Sequence, residues 1–325
     1  MTPIRFGVLG CASVARRLVV PAMKKVPSIV LVAVASRSTE KAFQFANEFE
    51  CQAVCGYEEL LLRSDIDAIY MPLPTGLHHE WAHRTLDAGK HLFIEKSLAC
   101  NFAEARSIIE KARSKGLLIK ENYMFEYHAQ QAVVRKLIHS HVGQVRVFRA
   151  NFGFPPLQFN NFRYDLPLGG GALLDAGGYV LKALGTFFPN HYSRVRASNL
   201  SLGESGVDIA GTVTVDLTCD DEFIPAHLAF GFDHYYQCGI EVWGSKARLI
   251  TDRTFTADSN FAPSVRIETA DGLENYQLAT DNHFQNILIH FVQSTLQIDH
   301  TAEYDAILKQ AKLQEDVRLN AQLVG

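Results

Sequence analysis

Four stretches of this sequence carry residue types at spacings that suit chemistry. Gly10-Cys11-Ala12-Ser13-Val14-Ala15 follows the apolar run Ile4–Gly10 and places a small residue first, third and sixth. After a strand and before a helix, such a turn lets a pyrophosphate approach the backbone and lets the helix pack closely on the sheet. Gly10, Cys11, Ala12, Ser13 and Val14 are thus candidate dinucleotide contacts, with a turn that holds no ligand as the alternative. The run Val32–Ala35 then passes into Ser36-Arg37-Ser38-Thr39, with no carboxylate before Glu40. An acid at this strand end holds the ribose 2′-hydroxyl of NAD. Here Ser36 can donate to a 2′-phosphate and Arg37 can form charge-assisted bonds to it, each worth about 1.5–3 kcal/mol. NADP(H) is the expected cofactor, weighed against a solvated loop arginine.

The other two stretches suit the reacting end. Pro72-Leu73-Pro74 and Glu95-Lys96 each close a strand-like run, at the edge where open α/β sheets hold their ligands. Pro72, Leu73 and Pro74 suit the wall of a nicotinamide site, and His78, near the same edge, can touch cofactor or substrate. Lys96 can act by hydrogen bonding or by charge, unless it is a surface ion pair with Glu95. Asn122 and Tyr123 end the last strand of this series and are similarly placed. Farther along, Gly169-Gly170-Gly171-Ala172-Leu173-Leu174-Asp175 leads to Tyr179. Three residues without Cβ suit close approach by another backbone or by a ligand. Asp175 and Tyr179, four apart, share one helix face. The competing reading is a glycine loop, a core tyrosine and an aspartate balancing the helix dipole. Just upstream, Arg163 and Tyr164 can reach a substrate phosphate or ring, or serve packing and interfaces.

Elements must position these groups, and the hydrophobic periodicity supplies them. Strands are expected at Ile4–Gly10, Leu31–Ser36, Ala68–Pro72, His91–Glu95 and Leu117–Glu121, alternating with helices from Ser13, at Thr39–Phe49, His79–Ala88 and Phe102–Ser114. This alternation predicts a doubly wound parallel sheet of Rossmann type over residues 1–122. From 123 to 325 the pattern changes to helix Gln130–Ser140, strand Val145–Phe154 and a Gly-led helical stretch Ala172–Phe188. A succession of strands between Arg194 and Leu278 follows, and helices Phe284–Leu296 and Tyr304–Ala321 close the chain. That order predicts an α+β domain with a large, mostly antiparallel sheet.

The 325 residues, 47% hydrophobic and 20% charged, can fill two cores. A net charge of -4 offers no basic footprint for nucleic acid. The start Met1-Thr2-Pro3-Ile4-Arg5 shows no export leader, no stretch is long and apolar enough for a bilayer, and the six cysteines lack zinc-type pairing. A cytoplasmic protein with reduced thiols and no membrane partner is expected. His79-Glu80-Trp81-Ala82-His83 matches a zinc-protease pattern, but it lies on a helix of the parallel-sheet domain with no third ligand evident. It is read as coincidence, and no metal is expected.

The early glycine turn, the segment from Gly89-Lys90-His91 to Glu95-Lys96 and the Gly-Gly-Gly-Ala-Leu-Leu-Asp run together resemble the glucose-fructose oxidoreductase/inositol dehydrogenase family across nearly the whole chain. Tyrosine rather than histidine four residues after the aspartate is similar to the dihydrodiol dehydrogenase, glucose-fructose oxidoreductase and nucleotide-sugar 3-ketoreductase branches. Met71-Pro72-Leu73-Pro74, Glu121-Asn122-Tyr123-Met124-Phe125 and Phe154-Pro155-Pro156 look most like the last. The resemblance implies that Lys96 and Tyr179 bracket the reacting carbon, with Asp175 orienting substrate or Tyr179; Tyr123, Arg163 and Tyr164 are candidate substrate contacts by their placement, with packing or an interface as the alternative. A neighbouring ammonium favours the phenolate of a tyrosine whose ordinary pKa is about 10, so the phenol becomes a better proton donor to a carbonyl taking up hydride. It further implies a homodimer or homotetramer through the C-terminal sheet. Reduction of a nucleotide-linked 3-ketosugar is the leading expectation. A dehydrogenase of free sugars or trans-dihydrodiols and a non-catalytic nucleotide-sensing regulator are the alternatives. One departure stands out: the family has Glu-Lys-Pro where this chain has Glu95-Lys96-Ser97, and a cis bond before a residue other than proline costs about 2.5–4 kcal/mol.

Overall fold

A computed structural model describes residues 2–324 and divides the chain into two compact units. The first takes in residues up to Met124 together with Phe284–Ala311, and the second Phe125–His283 with the segment from Lys312 onward.

In the first unit the strands, among the described residues, are β1 (Ile4–Leu9), β2 (Ile29–Ser36), β3 (Gln52–Cys55), β4 (Ala68–Met71), β5 (His91–Ile94) and β6 (Ile119–Glu121). They form one parallel sheet in the order β3-β2-β1-β4-β5-β6. All four residues of β4 are buried, as a sheet covered on both faces requires. The helices between strands are signalled locally. Ser38 caps Thr39–Phe49 by accepting from the Lys41 N–H at 3.3 Å, and Asn101 caps Phe102–Lys115 by accepting from the Glu104 N–H at 2.9 Å, with Gly116 in the left-handed region at the other end. β3 and the short helix Tyr57–Leu61 carry too little periodicity to be read from the sequence.

The segment Phe284–Ala311 completes this core. Phe291, with no exposed surface, packs its ring 5.4 Å from that of Phe6 and 5.6 Å from that of Phe93. The Tyr304 hydroxyl donates to the Leu117 carbonyl at 2.8 Å, and Lys120 pairs with Glu303 at 2.6 Å.

The second unit is built on β7 (Val145–Gly153), β8 (Tyr192–Leu202), β9 (Asp208–Cys219), β10 (Glu222–Gly231), β11 (Gln237–Gly244), β12 (Ala247–Thr251), β13 (Ser264–Thr269), β14 (Gly272–Gln277) and β15 (Ala321–Val324). Among the described residues these make one sheet, β14-β13-β12-β11-β7-β10-β9-β8-β15, antiparallel except where β10 meets β7 and β15 meets β8. Residues alternate across it: Phe148, Ala150 and Phe152 of β7 and Ile224, Ala226, Leu228 and Phe230 of β10 are buried. The helix Gly178–Phe187 covers that face, with Phe148 stacked 6.0 Å from Phe187 and 5.3 Å from Phe188. The sequence pattern carried the last helix through Ala321. It stops at Leu319, and Ala321–Val324 instead pairs with Ser198–Ser201, a partnership that no local signal announces.

Truncating Phe291 removes a fully enclosed ring from between two others. F291A is expected to lose about 3–5 kcal/mol of stability, read from urea unfolding followed by circular dichroism.

Candidate active site

The strand ends of the first unit gather the expected cofactor residues. Gly10 takes φ +122°, and a Cβ there would stand 3.0 Å from the Leu73 Cδ2, so glycine is required both by the turn and by the neighbouring loop. Its N–H donates to the Ala35 carbonyl at 3.0 Å, tying the turn to β2. Ala15, without exposed surface, is the small residue where helix meets sheet, while Cys11, Ala12 and Val14 are half-buried and Ser13 exposed. Burial raises the pKa of the Cys11 thiol, against a hydrogen bond from Ser36 and the charges of Arg16 and Lys41. Ser36 ends β2, and its Oγ accepts from the Ser38 N–H at 3.1 Å. Arg37 is exposed beside it and faces Tyr57. Burial raises the Tyr57 pKa, and Arg37, by charge and hydrogen bond, works against that rise. Tyr57, whose ring meets Trp81 edge-on at 5.0 Å, had no sequence signal as a site residue.

Around Lys96 two of the expected contact residues have partners within the fold. His78 is fully buried, and its ring nitrogens lie 2.9 Å from the Ser97 carbonyl oxygen and 2.8 Å from that of Leu73. Burial lowers the His78 pKa, and a neutral imidazole donates from one nitrogen only, so His78 donates to the Ser97 or to the Leu73 carbonyl. Tyr123 is 1% exposed, its hydroxyl accepting from Gln310 Nε2 at 3.3 Å and lying 3.5 Å from Ser97 Oγ. Its hydroxyl already has a partner inside the first unit. The Lys96–Ser97 bond is cis, although no proline follows the lysine. Leu98 N–H donates to Glu121 Oε1 at 2.7 Å in the same loop.

Lys96 is half-buried, as is Glu95, which is not a surface ion-pair partner. Glu95 Oε1 accepts from the Tyr70 hydroxyl and from Asn122 Nδ2, both at 2.7 Å. Burial raises the Glu95 pKa, against the pull of Asn122, Tyr70 and Lys96, and burial with the Glu95 charge lifts Tyr70 well above its ordinary value. Asn122 Oδ1 is buried without a hydrogen-bond partner among the described residues. A nicotinamide dinucleotide fits this edge: a Cβ-free turn at Gly10, an exposed guanidinium at Arg37 and an unmatched acceptor at Asn122, suited to an amide donor.

In the second unit the chain winds one turn of π-helix over Leu173–Gly177 before the α-helix Gly178–Phe187, a feature that recurs at functional sites. Four residues complete close to one turn in either winding, so Asp175 and Tyr179 stay on one face. Tyr179 is 7% exposed, its ring 5.1 Å from Phe152, 5.8 Å from Phe125 and 5.9 Å from Phe255. Arg163 Nε donates to Asp175 Oδ2 at 2.6 Å while its guanidinium lies 4.8 Å from the Phe162 ring centre. Arg163 thus holds Asp175 in addition to any contact with substrate. The Tyr164 hydroxyl accepts from the Leu157 N–H at 3.1 Å and steadies the same loop. An open cavity of about 450 Å³ lies on this loop, lined by Phe159, Asn161, Phe162, Tyr164 and Leu168.

The zinc-protease-like segment is accounted for otherwise. Glu80 pairs with Arg84 at 2.7 Å, and His83 Nε2 lies 3.1 Å from Ser107 Oγ. Among the described residues no cluster of three metal-ligating side chains exists, and no helix is long and apolar enough to cross a membrane.

A parallel six-stranded sheet with a glycine turn at its edge, joined to a large mixed sheet whose helix carries Asp175 and Tyr179, defines a nicotinamide-dependent oxidoreductase of two-domain type. The chain belongs to the GFO/IDH/MocA oxidoreductase family: residues 4–123 match its NAD-binding Rossmann fold and residues 132–250 its C-terminal domain. It is 42% identical over 90% of its length, and 87% of the relative's, to the dTDP-3,4-didehydro-2,6-dideoxy-alpha-D-glucose 3-reductase of Saccharopolyspora spinosa. It is 37% identical to the same kind of reductase from Actinomadura kijaniata, over 98% of this chain and 96% of the other. A crystal structure of a 3-ketoreductase from Actinomadura kijaniata in complex with NADP and TDP-benzene superposes with a TM-score of 0.94 at 36% identity, covering 99% of both chains.

Glu95 gives a pH signature. Its folded-state pKa lies above the unfolded one, so between the two values the native state holds the extra proton and stability falls as pH rises through that window. E95Q, which keeps an acceptor for Tyr70 and Asn122, is expected to flatten this decline in urea unfolding measured from pH 4 to 8.

Proposed function

We infer that this chain is an NADPH-dependent ketoreductase that reduces the keto group of a nucleotide-linked 3-ketosugar. The observation that carries the reading is its match along nearly its full length to dTDP-sugar 3-reductases at 37–42% identity. NADPH supplies the hydride when bound. Gly10 through Val14 receive the pyrophosphate, Ser36 and Arg37 the 2′-phosphate, and Pro72, Leu73 and Pro74 wall the nicotinamide, with Asn122 accepting from its carboxamide. Lys96 lends positive charge to the ketone oxygen and Tyr179 gives that oxygen its proton, while Asp175, held by Arg163, orients substrate. The aromatic rings around Tyr179 exclude water from the phenol. That a related ketoreductase has been crystallised with a lysine and with a tyrosine substituted, in complexes with TDP-benzene and NADP, supports a lysine and tyrosine pair as the working groups.

The enzyme is proposed to be cytoplasmic and to assemble as a homodimer or homotetramer through the second sheet, whose strands carry Tyr192 and Phe223 exposed at 68% and 55%. Oligomeric state is read by light scattering.

The reading is tested by following NADPH oxidation with nucleotide-linked and free keto sugars. Saturable turnover with the nucleotide-linked ketosugar is expected; equal turnover of the free sugar would favour the free-sugar dehydrogenase instead, and none with any substrate the sensing role. K96M and Y179F are expected to lose at least about 100-fold in kcat with NADPH binding intact. Replacing Arg37 with alanine is expected to weaken NADPH binding about 10- to 100-fold and leave NADH binding unchanged, as loss of one or two charge-assisted bonds to phosphate implies. Fluorescence titration of both coenzymes checks it.

A further inference from the structure

We infer that Asp208 is a positioning residue for this reaction: its carboxylate caps the helix that carries Asp175 and Tyr179 and so fixes where the phenol stands. The inference rests on the reading of Tyr179 as proton donor.

Asp208 opens β9, thirty-five residues beyond the helix start, and its Oδ2 accepts from the Leu173 N–H at 2.5 Å. The first N–H groups of a helix have no partner within the helix, and an anion there answers both the hydrogen bonds and the positive end of the dipole. Burial pushes the Asp208 carboxyl up, while the N–H groups of Leu173, Asp208 itself and Ala172 and the charge of Arg318 hold it down. The glycine run is shaped around this contact. Gly171 takes φ +120°, and a Cβ on it would collide with Asp208 Oδ1. A Cβ on Gly170 would stand 2.5 Å from the Arg163 carbonyl oxygen and 2.8 Å from that of Asp165. The N–H groups of Gly170 and Gly171 donate to those same two carbonyls, of Asp165 at 2.9 Å and of Arg163 at 3.0 Å.

The opening turn is therefore held by a carboxylate on one side and by the Arg163 loop on the other. It is the π-helical turn Leu173–Gly177, immediately before Tyr179. Freed of its cap, that turn can unwind or slip toward ordinary α-helical winding, and either moves Asp175 and Tyr179 by the ångström that matters in a proton transfer. No group that the proposed mechanism assigns to NADPH belongs to this turn.

The test measures kcat, KM and NADPH affinity of D208A, D208N, G171A and Y179F, with melting curves confirming that each is folded at the assay temperature. D208A is expected to lose about 10- to 100-fold in kcat with its NADPH dissociation constant within twofold of the parent. D208N, whose amide oxygen still accepts from Leu173, is expected to recover most of that loss. G171A presses on the same carboxylate from the other side and is expected to share the kcat defect, so it carries the test if D208A does not fold. Unchanged kcat in folded D208A or G171A overturns the inference, as does a D208N no better than D208A. Parental activity in Y179F refutes the proton-donor reading along with it, whereas an inactive Y179F beside an unimpaired D208A refutes the positioning role alone.

Discussion

In a parallel sheet every strand leaves at the same edge, and that constraint organises the first half of this protein. Gly10, Ser36, Pro72, Glu95 and Asn122 come from five different strands, yet each is the residue at which, or just beyond which, its strand runs out. Backbone hydrogen bonding is already spent on the ladders, so recognition at that edge falls to the turns and side chains that follow each strand. Because β1 lies between β2 and β4, the glycine turn has the cationic Ser36-Arg37 corner on one flank and the proline-walled loop on the other.

The second half works by close approach instead. At Gly170, Gly239 and Gly244 a Cβ would press on another stretch of main chain and at Gly171 on the Asp208 carboxylate, and the helix after the glycine run begins with an irregular turn. The bonds from Arg163 to Asp175 and from Asp208 to the helix start connect a surface loop, a sheet strand and the helix with Tyr179 through polar contacts.

Much of this was legible beforehand. The alternation of apolar runs with capped helices gave the sheet order its raw material, and Ser38, Asn101 and Gly116 mark helix ends by chemistry that acts within four residues. Arg37 and the absent acid could be read because a phosphate and a hydroxyl demand different partners. What escaped the sequence depends on partners far along the chain. Asp208 is one aspartate in an unremarkable strand until its contact with Leu173 is seen, and β15 is a short tail until β8 receives it. His78 and Tyr123 show the same dependence: polar residues near a functional edge look available, and nothing local says that they have partners inside the fold. The glycine run was read with two possible occupants, and the structure supplies backbone and carboxylate.

The grip of His78 on Leu73 and Ser97 has an evolutionary corollary. Both acceptors are carbonyl oxygens, a group every amino acid owns, so the fastening is indifferent to which side chain occupies either position. Drift in the side chain at residue 97 leaves its carbonyl in place, whereas drift at residue 78 removes the donor. As far as this bond is concerned, the side chain at residue 97 is free to vary and the one at residue 78 is not.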